Sequence, residues 1–188
     1  MEHIYHLPNF GEKWFDYSDL YSSFVDKLTD GSHIIEVGSW KGKSAAFLAV
    51  EIINSKKNIK FDCIDTWLGE ESYYQEDEHV KQKKLYELFL SNIEPVKTVI
   101  NPIRLKSVEA SKLYDDESVD IIFIDACHDY ESVKEDIIHW LQKVKIGGIL
   151  AGHDYNWSGV KIAAHELIGE KNIVSKNGCW IYEKTGII

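Results

Sequence analysis

Residues 34–44, IIEVGSWKGKS, decide the fold. A short apolar run ends at Gly38, and a second glycine, Gly42, opens a segment with helical periodicity. A buried strand, a tight glycine turn and a helix form the first part of a βαβ unit, because the turn lets the helix pack back onto the strand. The stretch therefore predicts an α/β chain whose first ligand-binding loop lies at residues 38–42.

Short apolar runs alternate with helical segments along the rest of the chain, which is typical of a parallel sheet covered on both faces. The dipeptide Asn177-Gly178 is a tight-turn signal and predicts a final hairpin. We therefore expect a doubly wound, mostly parallel seven-stranded α/β sheet with a C-terminal antiparallel hairpin. The predicted strands are 33–37, 60–65, 102–106, 119–125, 148–152, 173–175 and 179–183, and the predicted helices are 17–28, 43–53, 76–92, 109–113, 132–144 and 159–168.

Length and composition indicate one globular domain. The chain has 188 residues, of which 44% are hydrophobic and 28% charged, enough for a single well-filled core. We expect one domain over residues 1–188, with an N-terminal helical segment at 1–31. An aromatic and acidic segment follows the second strand, and we interpret residues 67–100 as a lid or a substrate-binding insertion.

Charge and cysteine content exclude several classes of partner. The net charge of -10 at pH 7 opposes binding to nucleic acids and to anionic membranes. The chain has one arginine, Arg104, so guanidinium clamps for phosphate are scarce. Its three cysteines are widely spaced, and it shows no secretory leader and no long apolar run, which favours a cytoplasmic location. We expect no nucleic-acid partner and no membrane partner.

The loop at residues 38–42 has competing interpretations. A triphosphate-binding loop has four residues between its glycines, whereas Gly38 and Gly42 enclose only Ser-Trp-Lys. A dinucleotide loop needs a glycine where Trp40 stands. Glu36 is expected to face the same mouth, where a carboxylate opposes a phosphate and suits a cationic ligand. A phosphate-free, cationic ligand is therefore the leading expectation.

The motif from Glu36 to Gly42, EVGSWKG, resembles motif I, E/DxGxxxG, of the class I S-adenosylmethionine-dependent methyltransferases. Two later segments resemble a small-molecule branch of that family, namely IIFIDACHDY at 121–130 and GGILAGHDY at 147–155. That branch is similar to macrocin-type and catechol-type O-methyltransferases and to cephalosporin hydroxylase-like proteins. The resemblance covers residue 34 to the C-terminus. It implies a Rossmann-like methyltransferase that acts on a hydroxyl of a small molecule.

The same resemblance implies S-adenosylmethionine as the cofactor. In the family the glycine loop passes the methionine part, and a carboxylate after the second strand holds the ribose hydroxyls, which Asp65 matches. By the same resemblance, Ser107 is expected to lie by the adenine. Trp67 and Tyr73 either stack on a ligand or pack locally. The complete predicted cofactor set is Glu36, Gly38, Ser39, Gly42, Asp65, Thr66, Trp67, Ser107 and Asp125.

The resemblance also implies where the chemistry occurs. Methyl transfer is an in-line displacement, so the site must align the acceptor with the methyl group and must supply a residue that accepts the proton of the acceptor hydroxyl. We expect His128 and Asp154 as catalytic residues, with His128 either a general base or a structural hydrogen-bond partner. In the related O-methyltransferases carboxylates hold magnesium, and Asp125 and Asp154 match them. A metal is expected on Asp125, His153 and Asp154. It is magnesium, or a softer ion such as manganese, because His153 stands where a carboxylate is expected and imidazole suits softer ions. A metal-free site is the other expectation.

Other interpretations stay open. An NTPase or kinase would use Lys43, Ser44 and Asp125. A noncatalytic domain would bind S-adenosylmethionine without transferring its methyl group, and an oxygen-dependent enzyme would hold iron at His153 and Asp154. The expected partner is a small-molecule acceptor, in a pocket that is either open or closed by a second copy of the chain in a homodimer. Asp136 is interpreted as a surface or capping acid.

Overall fold

The strands form one sheet, as the sequence predicts. The computed structural model describes residues 1–11, 14–69 and 75–186. Its strands are β1 (His33–Val37), β2 (Lys60–Asp65), β3 (Ile100–Arg104), β4 (Val119–Ile124), β5 (Val144–Gly152), β6 (Val174–Lys176) and β7 (Cys179–Glu183). Their order across the sheet is β3-β2-β1-β4-β5-β7-β6. Strands β1 to β5 pair in parallel, whereas β7 runs antiparallel to β5 and β6. The expected mostly parallel sheet with a C-terminal hairpin is confirmed.

Helices cover both faces of the sheet. They are α1 (Ser18–Lys27), α2 (Lys43–Ser55), α3 (Glu78–Lys81), α4 (Leu85–Ile93), α5 (Ser107–Ser111), α6 (Tyr130–Lys143) and α7 (Ser158–Ile168). One half of the core packs α1, α2 and α4 against the sheet through residues such as Phe24 and Phe89. The other half packs α6 and α7 through residues such as Trp140 and Ala163. Among the helices that the structure describes, none is long and apolar enough to cross a bilayer.

The strand order reverses at β1, and this reversal positions the site. Strand β1 lies between β2 and β4, with Val37 opposite Ile64 on one side and Ile124 on the other. The connections after β1 and β4 therefore leave the sheet towards opposite faces and open a crevice between them, which is where doubly wound sheets bind ligands. The loops that follow β1, β2, β4 and β5 all end at this edge.

Some element boundaries differ from the prediction. Strand β3 begins two residues early because Ile100 pairs with Phe61 and is buried; Pro102 is tolerated because β3 is an edge strand. Strand β5 begins at Val144, which pairs with β4, instead of at residue 148. The predicted helix 76–92 is two helices, since Lys83 takes a left-handed conformation, with φ 55°, between α3 and α4.

The predicted lid is only partly described. Residues 70–74, which include Tyr73, lie outside the described residues. The remainder of 67–100 forms α3 and α4, and Leu85 and Phe89 of α4 are buried in the core. The helix α3 is held to the first loop by an ion pair between Lys41 and Asp77, whose Nζ and Oδ2 atoms are 2.6 Å apart. This segment is therefore anchored to the glycine loop, and its role as a lid stays a prediction.

Candidate active site

Two cavities open at the carboxyl edge of the sheet. The β2 cavity, of about 520 Å³, is lined by Asp65, Thr66, Ser107 and their neighbours. The β5 cavity, of about 550 Å³, is lined by Ser39, His128, His153, Asp154 and N-terminal residues. The two cavities share three lining residues: Gly38, Trp40 and Asp125. They therefore meet at the end of β1, on either side of the predicted loop.

At Gly38 the ends of β1 and β4 lie so close together that no side chain fits between them. Its φ is 90°, and a Cβ atom there would lie 2.0 Å from the carbonyl oxygen of Asp125. The approach is fixed by backbone hydrogen bonds on both sides, from Gly38 N to the oxygen of Ile64 at 2.8 Å and from Asp125 N to the oxygen of Val37 at 2.7 Å. Glycine is required here both by conformation and by space.

Asp65 braces the glycine loop. Its Oδ2 accepts the backbone N–H groups of Ser39 at 3.0 Å and Trp40 at 2.8 Å, and its Oδ1 accepts that of Trp67 at 2.7 Å. In a triphosphate loop these backbone N–H groups would point at phosphate oxygens. Here a carboxylate takes two of them, which disfavours the NTPase alternative. The carboxylate also lines the β2 cavity, where its oxygens can accept further hydrogen bonds.

Trp67 packs locally. Its side chain is 1% exposed, its ring lies 4.7 Å from Tyr86 and 4.6 Å from Phe89, and its indole N–H donates to the carbonyl of Trp40 at 2.9 Å. It lines neither cavity, whereas its neighbour Thr66 lines the β2 cavity. Of the two expectations for Trp67, the geometry favours local packing.

Ser107 is held by two buried partners in the β2 cavity. Its hydroxyl donates to Asp136 and accepts the indole N–H of Trp140 at 2.8 Å. Asp136 is 5% exposed, so its interpretation as a surface or capping acid is wrong. Burial raises the pKa of Asp136 to about 7. With its own proton committed to Asp136, Ser107 can offer a lone pair to a ligand in this cavity.

Glu36 lies beneath the mouth and does not face it. Its side chain is fully buried and lines neither cavity, so the expected exposure to ligand is wrong. One carboxylate oxygen accepts the hydroxyl of Ser44, which does line the β5 cavity, while Oε2 has no hydrogen-bond partner among the described residues. Burial raises the pKa of Glu36 to about 8. The side chain of Ser44, at the start of α2, therefore lies between this carboxyl and the β5 cavity.

Asp125, His128 and Asp154 form a compact group at the ends of β4 and β5. One potential ligand atom from each lies within 4.8 Å of the others. Nε2 of His128 is 2.8 Å from Oδ2 of Asp154. Asp154 has φ 53°, a left-handed conformation that is uncommon outside glycine and found at functional sites. The group combines both predicted catalytic residues with a predicted metal ligand.

His153 pairs with carboxylates on both sides. Its Nδ1 is 3.3 Å from Asp154 and 3.7 Å from Asp125, and its Nε2 is 3.1 Å from Asp16. Burial lowers the pKa of His153, but the contacts with Asp125 and Asp154 outweigh this and raise it to about 10. The structure therefore brings the predicted metal ligands Asp125, His153 and Asp154 together. The compact group contains His128 in place of the His153 that the sequence predicted.

The electrostatics of Asp154 follow from its two histidine partners. Burial raises the pKa of Asp154, but the hydrogen bonds from His128 and His153 outweigh it and hold that pKa well below its usual range. A carboxylate that stays ionised on an imidazole fixes the ring's orientation and stabilises the imidazolium form. The arrangement suits a histidine that accepts a proton during a reaction.

Comparison with known proteins assigns the family. Residues 35–155 match a family model described as a methyltransferase domain, Methyltransf_24. The chain belongs to this methyltransferase family. The match spans β1 to the loop after β5, which includes the glycine loop and the Asp125, His128 and Asp154 group. No curated protein sequence matches the chain.

Solved methyltransferase structures share the fold at low sequence identity. The O-methyltransferase NovP has a TM-score of 0.66 at 14% identity, covering 90% of this chain and 79% of its own. A SAM-dependent O-methyltransferase from Thermotoga maritima has a TM-score of 0.63 at 14% identity, with coverage of 94% and 68%. CalS11, a TDP-rhamnose 3'-O-methyltransferase of calicheamicin biosynthesis, has a TM-score of 0.60 at 14% identity, with coverage of 88% and 76%. These likenesses support the Rossmann-like methyltransferase fold.

The N-terminal segment of this methyltransferase contributes site residues that the sequence analysis did not identify. Phe10, Trp14, Phe15, Asp16 and Tyr17 all line the β5 cavity. The predicted amphipathic helix accounts for α1 but not for the segment before it. The available signal was the aromatic density of residues 10–17, FGEKWFDY, which precedes the helix and has no helical periodicity.

Proposed function

We propose that this methyltransferase transfers a methyl group from S-adenosylmethionine to a hydroxyl of a small molecule. The observation that carries the proposal is the meeting of two cavities at Gly38 and Asp125, one lined by Asp65, Thr66 and Ser107 and the other by His128 and Asp154. S-adenosylmethionine, when bound, supplies a methyl group whose C–S bond breaks, with the electron pair returning to sulfur, as the acceptor oxygen takes the methyl carbon.

The residues of the β2 cavity fit the adenosine part of that cofactor. The Asp65 carboxylate can accept ribose hydroxyls in charge-assisted hydrogen bonds, and Thr66 adjoins it. The hydroxyl oxygen of Ser107 can accept a hydrogen bond from the amino group of an adenine.

Gly38 and Asp125 line both cavities, so a cofactor that extends from one cavity to the other would pass against them. We assign Ser39, which lines the β5 cavity, to the methionine part. Gly42 lines neither cavity and faces Phe89 and Ile93, so we assign it, with the buried Glu36, to the support of the loop.

The residues of the β5 cavity fit the acceptor and its proton. We assign His128 as the general base for the acceptor hydroxyl. The carboxylate of Asp154, 2.8 Å from Nε2 of His128, holds the ring and stabilises the imidazolium that forms when the proton arrives. The aromatic side chains of the N-terminal segment cover part of this cavity and so reduce the access of water to it.

A divalent cation is the second candidate for activating the hydroxyl. Asp125, His128 and Asp154 would hold it, and two carboxylates with one imidazole suit manganese, iron or zinc better than magnesium. The cation would lower the pKa of the acceptor hydroxyl. The 2.8 Å contact between Nε2 of His128 and Oδ2 of Asp154 supports the base role, because the carboxylate stabilises a protonated imidazole.

Calorimetric titration tests the cofactor assignment. We expect S-adenosylmethionine and S-adenosylhomocysteine to bind, and ATP with magnesium to show no binding at millimolar concentration. Binding of ATP without binding of S-adenosylmethionine would overturn the proposal in favour of the NTPase. Cofactor binding with no methyl transfer to any hydroxyl compound would favour the noncatalytic alternative. A homodimer that closes the pocket stays a prediction, which light scattering of the cofactor complex checks.

A further inference from the structure

The chain's six tryptophans divide sharply by exposure. Trp67, Trp140 and Trp180 are each at most 1% exposed, and Trp40 is partly buried. Trp14 and Trp157 are 53% and 52% exposed. These two half-exposed tryptophans come from opposite ends of the chain, yet both line the β5 cavity. Large aromatic side chains that a fold leaves exposed at one concave site are typical of a ligand contact.

Trp157 lies directly beside the reactive group. Its ring centroid is 5.0 Å from that of His128, with an angle of 33° between the planes. Its backbone N–H donates to the carbonyl of Asp154 at 2.8 Å, which closes the turn that begins α7. A flat molecule that stacks on Trp157 would therefore lie next to His128, the proposed base.

The N-terminal segment adds further aromatic side chains to the cavity. Phe10, Phe15 and Tyr17 line it together with Trp14. The ring of Phe15 packs edge-on against Tyr17, with 4.8 Å between centroids, so these two rings are held in place by the core beneath them. A cavity that combines aromatic side chains with the polar His128 and Asp154 suits a ligand with a ring and a hydroxyl.

The charges of the cavity disfavour a phosphate-bearing acceptor. Asp16, Asp125 and Asp154 line it, and the protonated His153 in the same cavity is already paired with all three. Of the described lysines there, Lys41 is paired with Asp77 at 2.6 Å, and Lys43 lies 3.5 Å from the carbonyl oxygen of Gly11. The chain's one arginine lies elsewhere, with its Nε donating to the carbonyl of Thr66. A phosphate would therefore enter beside carboxylates, without a guanidinium to hold it.

We propose that the acceptor is an aromatic hydroxyl compound without a phosphate, stacked on Trp157 and Trp14 of the β5 cavity. This inference rests on the proposed function, because it names the acceptor of that same site. It separates this chain from methyltransferases whose acceptors carry a nucleoside diphosphate.

A matched set of three probes tests the inference. 1,2-Dihydroxybenzene has the ring and the hydroxyl pair, 1,2-cyclohexanediol keeps the hydroxyl pair without the aromatic ring, and 3,4-dihydroxyphenyl phosphate keeps the ring and the hydroxyl pair and adds the charge. Each is titrated into the full chain saturated with S-adenosylhomocysteine, and each is assayed for methyl transfer from S-adenosylmethionine. We expect the dihydroxybenzene to bind at least tenfold more tightly than either of the other two and to be methylated fastest.

Variants locate the contact. Trp157→Ala should raise the KM for the dihydroxybenzene at least tenfold, and Trp157→Phe should restore most of that loss, because a ring stacks in either case. Trp14→Leu should raise KM with little change in kcat. Ile162→Ala, which removes an exposed apolar side chain from α7, the helix that begins directly after Trp157, is the control and should leave KM unchanged.

The failures of the two proposals are distinguishable. If the cofactor does not bind, the proposed function fails before the acceptor is reached. If the cofactor binds but the cyclohexanediol or the phosphate compound is preferred, or none of the three binds, the aromatic acceptor is wrong and the proposed function stands. An unchanged KM in Trp157→Ala with methylation intact would also overturn the stacking.

Discussion

The phenol of Tyr17 donates a 2.8 Å hydrogen bond to Oδ2 of Asp125, joining residues that are 108 positions apart. Tyr17 is 1% exposed, and burial followed by the charge of Asp125 raises its pKa well above the usual value. It therefore stays a neutral donor and fixes one carboxylate oxygen. The other oxygen, Oδ1, is left on the His153 side, 3.7 Å from that ring. The N-terminal segment thus orients a residue of the site.

Tyr17→Phe should lower methyl transfer about tenfold while costing about 1 kcal/mol of stability, the typical net value of one hydrogen bond. Steady-state kinetics and urea unfolding measure the two effects. Tyr21→Phe is the matched control, because the Tyr21 hydroxyl is equally buried and has no hydrogen-bond partner among the described residues. Its rate should stay at the wild-type value. Equal losses in both variants would mean that the Tyr17 hydroxyl has no positioning role.

Gly38→Ala should abolish cofactor binding and strongly destabilise the fold. Its Cβ would lie 2.0 Å from the Asp125 carbonyl oxygen, so the β1 and β4 ends must separate. Gly31→Ala is the control for conformation alone, because Gly31 has φ 83° but nothing within 4 Å of an added Cβ. We expect Gly31→Ala to cost about 1 kcal/mol and Gly38→Ala clearly more, as measured by urea unfolding. Similar losses would refute the steric explanation.

Asp65→Ala should weaken S-adenosylmethionine binding at least tenfold, on the order of 1.4 kcal/mol. Two contributions combine, since the variant loses a carboxylate in the β2 cavity and frees the N–H groups of Ser39 and Trp40. Asp65→Asn separates them, because an amide oxygen can still accept from the loop but carries no charge. Asp115→Asn, an exposed aspartate away from both cavities, is the control. An unchanged affinity in Asp65→Ala would remove Asp65 from the site.

The local signals at β1 explain why the fold could be predicted from the sequence. An apolar run, two glycines and a helical period all agree there, and β1 and β2 have the predicted bounds. The depth of Glu36 could not be predicted, because its burial depends on α2 packing over it. Whether His128 or His153 lies in the compact group with Asp125 and Asp154 depends on the paths of the loops after β4 and β5. The sequence pattern is compatible with either histidine. Contacts across 108 residues, such as that of Tyr17, leave no local pattern at all.

Glu36 should make the fold less stable as pH rises from about 4.5 to about 8. Burial raises the pKa of this carboxyl to about 8, so the folded state holds a proton that the unfolded state has already released. Stability falls wherever the folded state binds more protons, here by at most about 1.4 kcal/mol per pH unit. Glu36→Gln has no such proton to lose. The free energy of unfolding of Glu36→Gln should therefore rise relative to that of the wild type between pH 5.5 and 8.5.

Urea unfolding at several pH values checks this difference. His153, whose pKa is also raised, contributes to the pH dependence of both proteins and cancels in the comparison. Glu87→Gln, an exposed carboxylate on α4, is the control and should follow the wild type at every pH. Parallel curves for Glu36→Gln and the wild type would show that Glu36 is ionised in the folded protein.

Removal of divalent cations separates the two roles open to His128. If His128 is the base, methyl transfer survives EDTA, and His128→Gln lowers kcat at least a hundredfold, within the range of general-base catalysis. We expect this result because Nε2 of His128 is 2.8 Å from the Asp154 carboxylate that stabilises its protonated form. His139→Gln, a histidine of α6 that lines neither cavity, controls for loss of an imidazole. Loss of transfer in EDTA that manganese restores would instead assign Asp125, His128 and Asp154 to a metal, and His128 would then be its ligand and not the base.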